Sequence, residues 1–338
     1  MNPIHKEKTP KAIGLMSGGL DSIIAAKVVK DLPADVTMLH FILPWKDGTP
    51  DRINQWAELL GVKLVSLQLD DHYMNIVRHP PHGHGSAMNP CIDCKIHMLQ
   101  RAKKYMEETQ ANFIFTGEVL GQRPMSQNKK ALQTIEKKAG LEGYLLRPLS
   151  AKLMPPTIPE QNKIINREKL LSISGRSRHI QIELAGKFNI DDFSQPAGGC
   201  LLTEQSFCQR LKDCFNHGYK SYCDTKILSF GRHFRINSEC KVIAGRNEIE
   251  NNRLFMVAGE DDILMRYEEE NGPFIVLQDN CRNEENLMIA AGILQYFSKL
   301  RDAPPQDVLY WQKKKGDVSG KTVKANKITE KELNNWKI

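Results

Sequence analysis

Ala12, Ile13, Leu15 and Met16 form a short apolar run, the pattern of a buried strand. Ser17-Gly18-Gly19 follows with no side-chain bulk. Asp21-Ser22 then opens a segment whose apolar positions, Ile23, Ile24, Ala25, Val28 and Val29, recur at helical spacing. The alternation continues along the chain. Strands are expected over Val36–Leu43, Lys63–Leu69, Asn112–Thr116 and Tyr144–Leu146. Helices are expected over Asp51–Leu60, Ile92–Glu108 and Ser126–Lys138, with a long loop between Leu69 and Ile92. Ile53, Trp56, Leu59 and Leu60 share one helix face, and Gly61 and Gly140 close their helices. This spacing predicts βαβ units: an α/β, Rossmann-like parallel sheet with helices on both faces. Ligands of such sheets bind beyond the carboxyl ends of the strands. Ser17, Cys91 and Gly117 should therefore gather at one edge.

The pattern changes after residue 150. Ala151–Pro159 is Pro-rich and marks a boundary, separating residues 1–150 from an extension over 151–204. Ile164–Leu171 and Ile180–Phe188 read as short helices around the basic turn Gly175-Arg176-Ser177-Arg178-His179, and Phe193–Leu202 as a loop. From Gln205 a helix leads into short apolar segments at Lys241–Ala244, Asp262–Arg266 and Phe274–Leu277. They predict a smaller α+β domain over 205–312. From Lys313 to Lys337 eight lysines face three acids with few apolar residues, which reads as a flexible basic tail over 313–338.

Composition narrows the class. A chain of 338 residues with 41% hydrophobic and 26% charged residues has the make-up of a soluble, multi-domain globular protein. No apolar run is long enough to span a membrane, and MNPIHKEKTPK lacks the apolar core of a signal peptide. A cytoplasmic protein is expected. The net charge of +7 is compatible with a polyanionic partner. Eight cysteines in a reducing compartment favour metal, redox chemistry or burial over a disulfide framework.

Two stretches carry the chemistry. In Ser17-Gly18-Gly19-Leu20-Asp21-Ser22, a strand, a Gly-rich turn and a helix N-terminus make a phosphate cradle of backbone N–H groups at the positive end of a helix dipole. It is not the common P-loop, because Leu20-Asp21 stands where Lys-Ser/Thr would be. A turn without ligand is the plainer alternative. In Asn89-Pro90-Cys91-Ile92-Asp93-Cys94-Lys95, a Cys-x-x-Cys pair at a helix start puts two thiols on one side, with helix placement favouring thiolate. Cys200, after Ala197-Gly198-Gly199, is the best third thiol. Zinc would require a fourth ligand. A persulfide or disulfide pair is a second option. An iron–sulfur cluster on three thiolates, leaving one iron open, is preferred. Cys208, Cys214, Cys223, Cys240 and Cys281 read as small buried hydrophobes. His79, His82 and His84 look like ligands but read better as a loop.

SGGLDS, NPCIDCK, TGEVLGQRPMSQ and GRSRHIQIELA occur in this order, and on them residues 11–202 resemble a tRNA-uridine sulfurtransferase. The hexapeptide resembles the PP-loop of the N-type ATP pyrophosphatases, and the whole stretch the 4-thiouridine synthetase and tRNA 2-thiouridylase families. Residues 205–312 resemble the NFACT-R RNA-binding domain, through Phe230-Gly231-Arg232-His233-Phe234-Arg235 and Ile243-Ala244-Gly245-Arg246-Asn247. The resemblance implies an adenine-nucleotide α-hydrolase-like fold, ATP and Mg2+ as cofactors, and a 4Fe–4S cluster with Cys91, Cys94 and Cys200 as ligands. It implies nucleotide contacts from Ser17, Gly18, Gly19, Asp21, Ser22, Gly117, Glu118 and Gln122. Asp21 and the three cysteines would be catalytic.

The implied reaction adenylates a uracil oxygen in tRNA, releases pyrophosphate, and replaces the oxygen with sulfur from sulfide or a cysteine desulfurase. 4-Thiouridine is favoured over 2-thiouridine, because TGEVLGQ is closer to that family. The chain departs from it in lacking a THUMP domain before the PP-loop and a rhodanese-like domain after. The NFACT-R-like domain is then expected to grip the tRNA. Arg123, Arg176, Arg178, His179, Arg232, Arg235 and Arg246 are candidate RNA contacts, against the alternatives of solvated charges and of a hairpin whose phenylalanines are core. A homodimer is allowed. The competing functions are a PP-loop enzyme that adenylates a small molecule and a non-catalytic tRNA- or ribosome-binding factor. ATP cleavage to AMP and pyrophosphate separates them.

Overall fold

A computed structural model describes residues 9–191, 193, 199–279, 283–315 and 321–338. Ala197, Gly198 and Cys281 lie outside these. The chain divides into two units, Met1–Thr203 and Glu204–Ile338.

The first unit holds the expected Rossmann-like sheet. Its elements run β1 (Lys11–Leu15), α1 (Leu20–Lys30), β2 (Asp35–Ile42), α2 (Asp51–Leu60), β3 (Lys63–Gln68), α3 (Asp71–Arg78), α4 (Cys91–Thr109), β4 (Phe113–Phe115), α5 (Lys129–Ala139), β5 (Leu145–Leu146), α6 (Ile158–Gln161) and α7 (His179–Lys187). The strands are parallel in the order β3-β2-β1-β4-β5. Ala12, Val36, Met38, Phe113 and Phe115 face one core with Ile23, Ile24, Val28 and Ala185 of α1 and α7. Alternate residues, Ile13, Leu39 and Ile114, are equally buried and face the opposite way. There α4 packs on β1, β4 and α5.

Two expectations fail here. The stretch after β3 is not all loop. Asp70 caps α3 by accepting from the His72 N–H at 3.1 Å, and Tyr73, Met74 and Val77 bury one helical face. The helix expected over Ile164–Leu171 is only a 3-10 turn, Arg167–Lys169. The Arg167 guanidinium binds Glu160 and the carbonyls of Ala151 and Met154, while Ile165 and Leu170 enter the core from an irregular backbone.

The second unit runs α8 (Gln205–Asn216), β6 (Arg232–Asn237), β7 (Cys240–Ala244), α9 (Glu248–Val257), β8 (Ile263–Arg266), β9 (Ile275–Asp279), α10 (Glu284–Tyr296), β10 (Asp307–Gln312), β11 (Lys321–Lys324) and α11 (Glu330–Trp336). Its sheet has the order β11-β10-β8-β9-β7-β6, with antiparallel pairs. One face packs on α10 through Val242, Met265, Ile275, Leu277, Ala290 and Leu294. The supposed tail is part of this unit. Ala325 and Leu333 are buried in its core, and Val323, Ile328 and Trp336 pack against it. Lys321 and Lys324 point outward on the edge strand, where lysines discourage further pairing. A lysine-rich composition concealed a sparse but sufficient apolar pattern.

Candidate nucleotide and thiol site

The Ser17–Ser22 turn leaves the carboxyl end of β1, which lies between β2 and β4. Strand order reverses beside it, the position where open α/β sheets bind ligands. Gly18 has φ +77°, a conformation side chains rarely adopt. Gly19 starts α1 without a side-chain cap. The Ser22 hydroxyl donates to the Gly19 carbonyl at 2.7 Å, and the Ser17 hydroxyl lies 3.3 Å from both the Ser22 hydroxyl and the Gly19 N–H. The turn is thus held in shape by its own members.

The loop after β4 closes on this turn. A Cβ on Gly117 would fall 2.5 Å from the Asp21 carbonyl and 2.6 Å from the Ser22 nitrogen, so only glycine permits the approach. The Gln122 amide donates to one Asp21 carboxylate oxygen at 2.9 Å. The other, Asp21 Oδ1, is buried with no hydrogen-bond partner among the described residues, as is Gln122 Oε1. A buried carboxylate oxygen left open in this way suits a cation.

Glu118 behaves differently from the expected nucleotide ligand. Its carboxylate is buried and receives Lys95 Nζ at 2.6 Å, Arg147 Nε at 3.1 Å and the Thr116 hydroxyl at 3.2 Å. Burial alone would raise its pKa, but Lys95 and Arg147 bring it down to about 2. Arg147 is also bound by Glu136 at 2.8 Å. The Glu118 side chain therefore ties α4 to the loop beside Asp21, and acts through position.

The thiols lie where α4 begins. Cys91 is its first residue, and Asn89 Nδ2 donates to the Cys91 sulfur at 3.2 Å. The Cys94 sulfur lies 3.4 Å from the hydroxyl of buried Tyr73. The Met88 N–H donates to the Leu202 carbonyl at 3.0 Å, bringing the segment of Cys200 beside the cysteine pair. Cys91 and Cys94 are free thiols, and both Cys200 and Cys91 act electrostatically on Cys94. Helix placement does not make Cys94 a ready thiolate: burial pushes it up to about 12, the Tyr73 hydrogen bond opposing in part.

The nearby histidines are otherwise engaged. His82 Nδ1 pairs with Asp93 at 2.6 Å, and His84 Nε2 bonds the Val77 carbonyl at 2.8 Å. The His79 N–H closes α3 on the Asn75 carbonyl. No group of three His, Cys, Asp or Glu side chains among the described residues converges on a single ion. That holds for Cys91, Cys94 and Cys200 as well: they supply an all-sulfur donor set, the chemistry of an iron–sulfur cluster, without converging on one ion in this structure. Sequence reading missed Tyr73, Lys95 and Arg147. Tyr73 lay in the supposed loop, Lys95 ends the NPCIDCK stretch but was given no role there, and Arg147 carries no local motif.

The RNA candidates separate. Arg123, Arg176 and His179 are exposed. Arg178 is half-buried, and its Nε has no partner among the described residues. The Gly175 N–H donates to the Leu120 carbonyl at 2.8 Å, so this turn adjoins the loop of Gln122. In the second unit Arg235 is held by both oxygens of Asp213, at 2.9 and 2.8 Å, beside Lys241 at 3.0 Å from the same carboxylate. It is a half-buried member of an ion pair, with its guanidinium engaged by Asp213. Phe234 is core, and Asn247 caps α9. Arg246 is exposed, and Arg232 is half-buried with no carboxylate bonded to it among the described residues.

Residues 8–153 match the family model described as "Thiamine biosynthesis protein (ThiI)", and residues 231–337 that of "NFACT protein RNA binding domain". The chain thus joins a ThiI-type domain to an NFACT-R domain, the latter reaching through the supposed tail. No match was found among curated protein sequences. Similar solved structures include the following three. A 4-thiouridine synthetase–RNA complex with bound ATP is 20% identical over 54% of this chain and 52% of its own, with a TM-score of 0.35. A predicted subunit of tRNA methyltransferase from Methanocaldococcus jannaschii is 14% identical, over 53% and 76%, with a TM-score of 0.34. The U34-tRNA thiolase NcsA from Methanococcus maripaludis, with its 4Fe–4S cluster, is 15% identical, over 61% and 65%, with a TM-score of 0.33. The chain spans under two thirds of the length of the synthetase and of NcsA. No helix among the described residues is long and apolar enough to cross a membrane.

Proposed function

We propose that this chain is an ATP-dependent tRNA sulfurtransferase of the cytoplasm, exchanging a uracil oxygen for sulfur, with 4-thiouridine favoured over 2-thiouridine. One observation carries the reading. The glycine turn and the Cys91/Cys94 helix start are joined through Lys95, Glu118 and Gly117 within a few residues of each other. The ThiI-type and NFACT-R matches support it, the first for the chemistry and the second for the RNA.

The uracil oxygen attacks the α-phosphorus of ATP, and the bond to the β-phosphate breaks. Backbone N–H groups of the Ser17–Ser22 turn receive the departing pyrophosphate, where fixed dipoles stabilise developing charge. Asp21 Oδ1 is the group that would hold Mg2+, and Gln122 fixes the carboxylate through its other oxygen. Sulfide then adds at the ring carbon, and AMP leaves with the former uracil oxygen. Cys91, Cys94 and Cys200 would hold the 4Fe–4S cluster, which when bound supplies an open iron site for sulfide. The Tyr73 hydroxyl and the Cys94 sulfur share a hydrogen bond, and Lys95 with Glu118 keeps the thiol helix in register with the nucleotide turn. Arg123, Arg176, Arg178 and His179 line the approach for the RNA backbone.

The test incubates the full chain with an unmodified tRNA transcript, ATP, Mg2+ and sulfide without oxygen, followed by nucleoside mass spectrometry. The expected result is 4-thiouridine with matching AMP and pyrophosphate, abolished by Asp21→Asn and by Cys94→Ser. AMP formation indifferent to tRNA would point instead to a small-molecule substrate, and tRNA binding without AMP to a binding factor. Iron and sulfide counts with the visible spectrum test the cluster separately. A protein left colourless and iron-free after reconstitution would overturn it, and the thiols would then be persulfide carriers.

A further inference from the structure

Between Glu204 and Ile338 there are 21 lysines and arginines against 20 acidic residues. A unit so nearly neutral cannot attract a polyanion by its overall field. It must do so where charge is locally segregated. Arg235 and Lys241 are removed from that account by Asp213. Arg210 is buried and bonded to the Ser206 and Leu228 carbonyls.

One surface collects more cations than carboxylates. The Arg232 guanidinium lies 4.6 Å from the centre of the Phe297 ring. Tyr296 meets Phe297 edge-on at 5.1 Å, and the Arg301 guanidinium lies 4.0 Å from the Tyr296 ring while donating to its hydroxyl at 2.7 Å. Phe297 is itself stacked on core Phe234 at 5.9 Å, so the row is anchored from below. On the other side of Arg232, Arg246 donates to the Gly231 carbonyl at 2.9 Å. The charges of Arg246 and Arg232 act on each other, and burial with that repulsion lowers the pKa of Arg232. Glu250 is the carboxylate among them. Its Oε2 already accepts the Gly231 and Arg246 N–H groups, and its Oε1 takes Arg246 Nη1 at 3.2 Å.

We propose that Arg246, Arg232, Phe297, Tyr296 and Arg301 form the RNA-docking face of the second unit, with phosphates on the guanidinium edges and a base against a guanidinium plane. This rests on the reading of the chain as a tRNA enzyme. RNA fits the surface in two respects. The face offers an excess of cations, and it presents them as flat groups already stacked on rings. Single-stranded bases stack on such planes, and the fixed orientation spares the ordering cost that a free lysine would incur. An acidic protein would meet the charges but leave the stacked planes unused.

The experiment measures binding of a labelled tRNA transcript by the full chain across about 50–200 mM salt. The variants are Arg232→Gln, Arg301→Gln, the double substitution, and Lys321→Gln on the edge strand as control. Each arginine substitution should weaken binding about 5- to 10-fold and reduce the slope of log K against log salt by about 1, the double by about 2. Lys321→Gln should change neither. Amide hydrogen exchange checks that the variants keep the wild-type fold, and Arg232→Lys and Arg301→Lys replace any variant that does not. An unchanged affinity and slope in the double variant would overturn the docking face while leaving the thiolation reading intact. A wild-type chain that binds tRNA through these arginines yet forms no AMP would overturn the thiolation reading and leave the face standing. Absence of tRNA binding by the wild type would overturn both.

Discussion

Glu118 in the first unit and Asp213 in the second are built alike. Each is a buried carboxylate between a lysine and an arginine, Lys95 and Arg147 in one case and Lys241 and Arg235 in the other. Each is held below its ordinary pKa against the opposing effect of burial. What they join differs. Asp213 fastens α8 to β6 and β7 and adjoins no group with a chemical task. Glu118 fastens the helix that starts at Cys91 to the loop that touches Asp21. The same physical device joins plain structural elements in one unit and elements of the candidate site in the other. Only its neighbours tell which.

Glu118→Gln should give the largest effect. Lys95 and Arg147 would lose the counter-charge they share, and breaking a buried pair from one side costs about 3–5 kcal/mol. Hydrogen exchange should rise throughout the first unit and stay at wild-type values in the second. The pH dependence carries a sign. The Glu118 pKa is about 2 in the folded chain against an ordinary 4.5, so its contribution is complete above pH 4.5 and is lost as pH falls toward 2. Glu118→Gln should flatten that acid limb. If the limb is unchanged, Glu118 is not the group that titrates.

Asp213→Asn is the mirror experiment, with an effect of about 3 kcal/mol confined to the second unit. Arg235→Gln should likewise destabilise that unit without altering the salt dependence of tRNA binding. A reduced salt slope in Arg235→Gln would mean that the guanidinium reaches RNA despite its two bonds to Asp213, and the contrast between the units would fail.

How far these roles could be read beforehand follows from the range of the interactions. The parallel sheet, the glycine turn and the Cys-x-x-Cys helix start are local patterns, and all three were legible. The expectation that Gly117 gathers at the same edge as Ser17 came from the sequence, but its contact with Asp21 and Ser22 across the β1–β4 boundary required the structure. The ion pairs of Glu118 and Arg235 were hidden for one reason. A charged residue in a motif looks available until its partner is known, and the partners lie 23 and 22 residues away. Tyr73 was hidden because Asp70 as a helix cap was read as a loop residue. The C-terminal strand and helix were hidden because lysines outnumber the few apolar residues that fix them.

Gly117→Ala tests the join itself and should cost less. The added Cβ would meet backbone at 2.5 Å, which cannot swing aside as a side chain would. Overpacking of this kind costs about 1–3 kcal/mol. Because the displaced atoms belong to the first turn of α1, ATP binding should weaken at least about tenfold while the second unit is unaffected. Wild-type ATP affinity in this variant would show that the loop after β4 does not set the shape of the nucleotide turn.

The smallest expected effect isolates the variable that makes the two buried carboxylates matter. Lys103 and Glu107 are also an opposite-charge pair, one turn apart on α4 at 3.7 Å, but both are exposed to water. There the ions keep their hydration, and holding two long side chains together offsets most of the attraction. A double-mutant cycle with Lys103→Ala and Glu107→Ala should give a coupling of about 0.3–0.5 kcal/mol, shrinking as salt is added. The equivalent cycle with Lys95→Met and Glu118→Gln should give several times that and resist salt, because the buried Glu118 carboxylate cannot return to water when Lys95 is removed. Equal couplings in the two cycles would mean that charge pairing alone, and not burial between two working elements, accounts for Glu118.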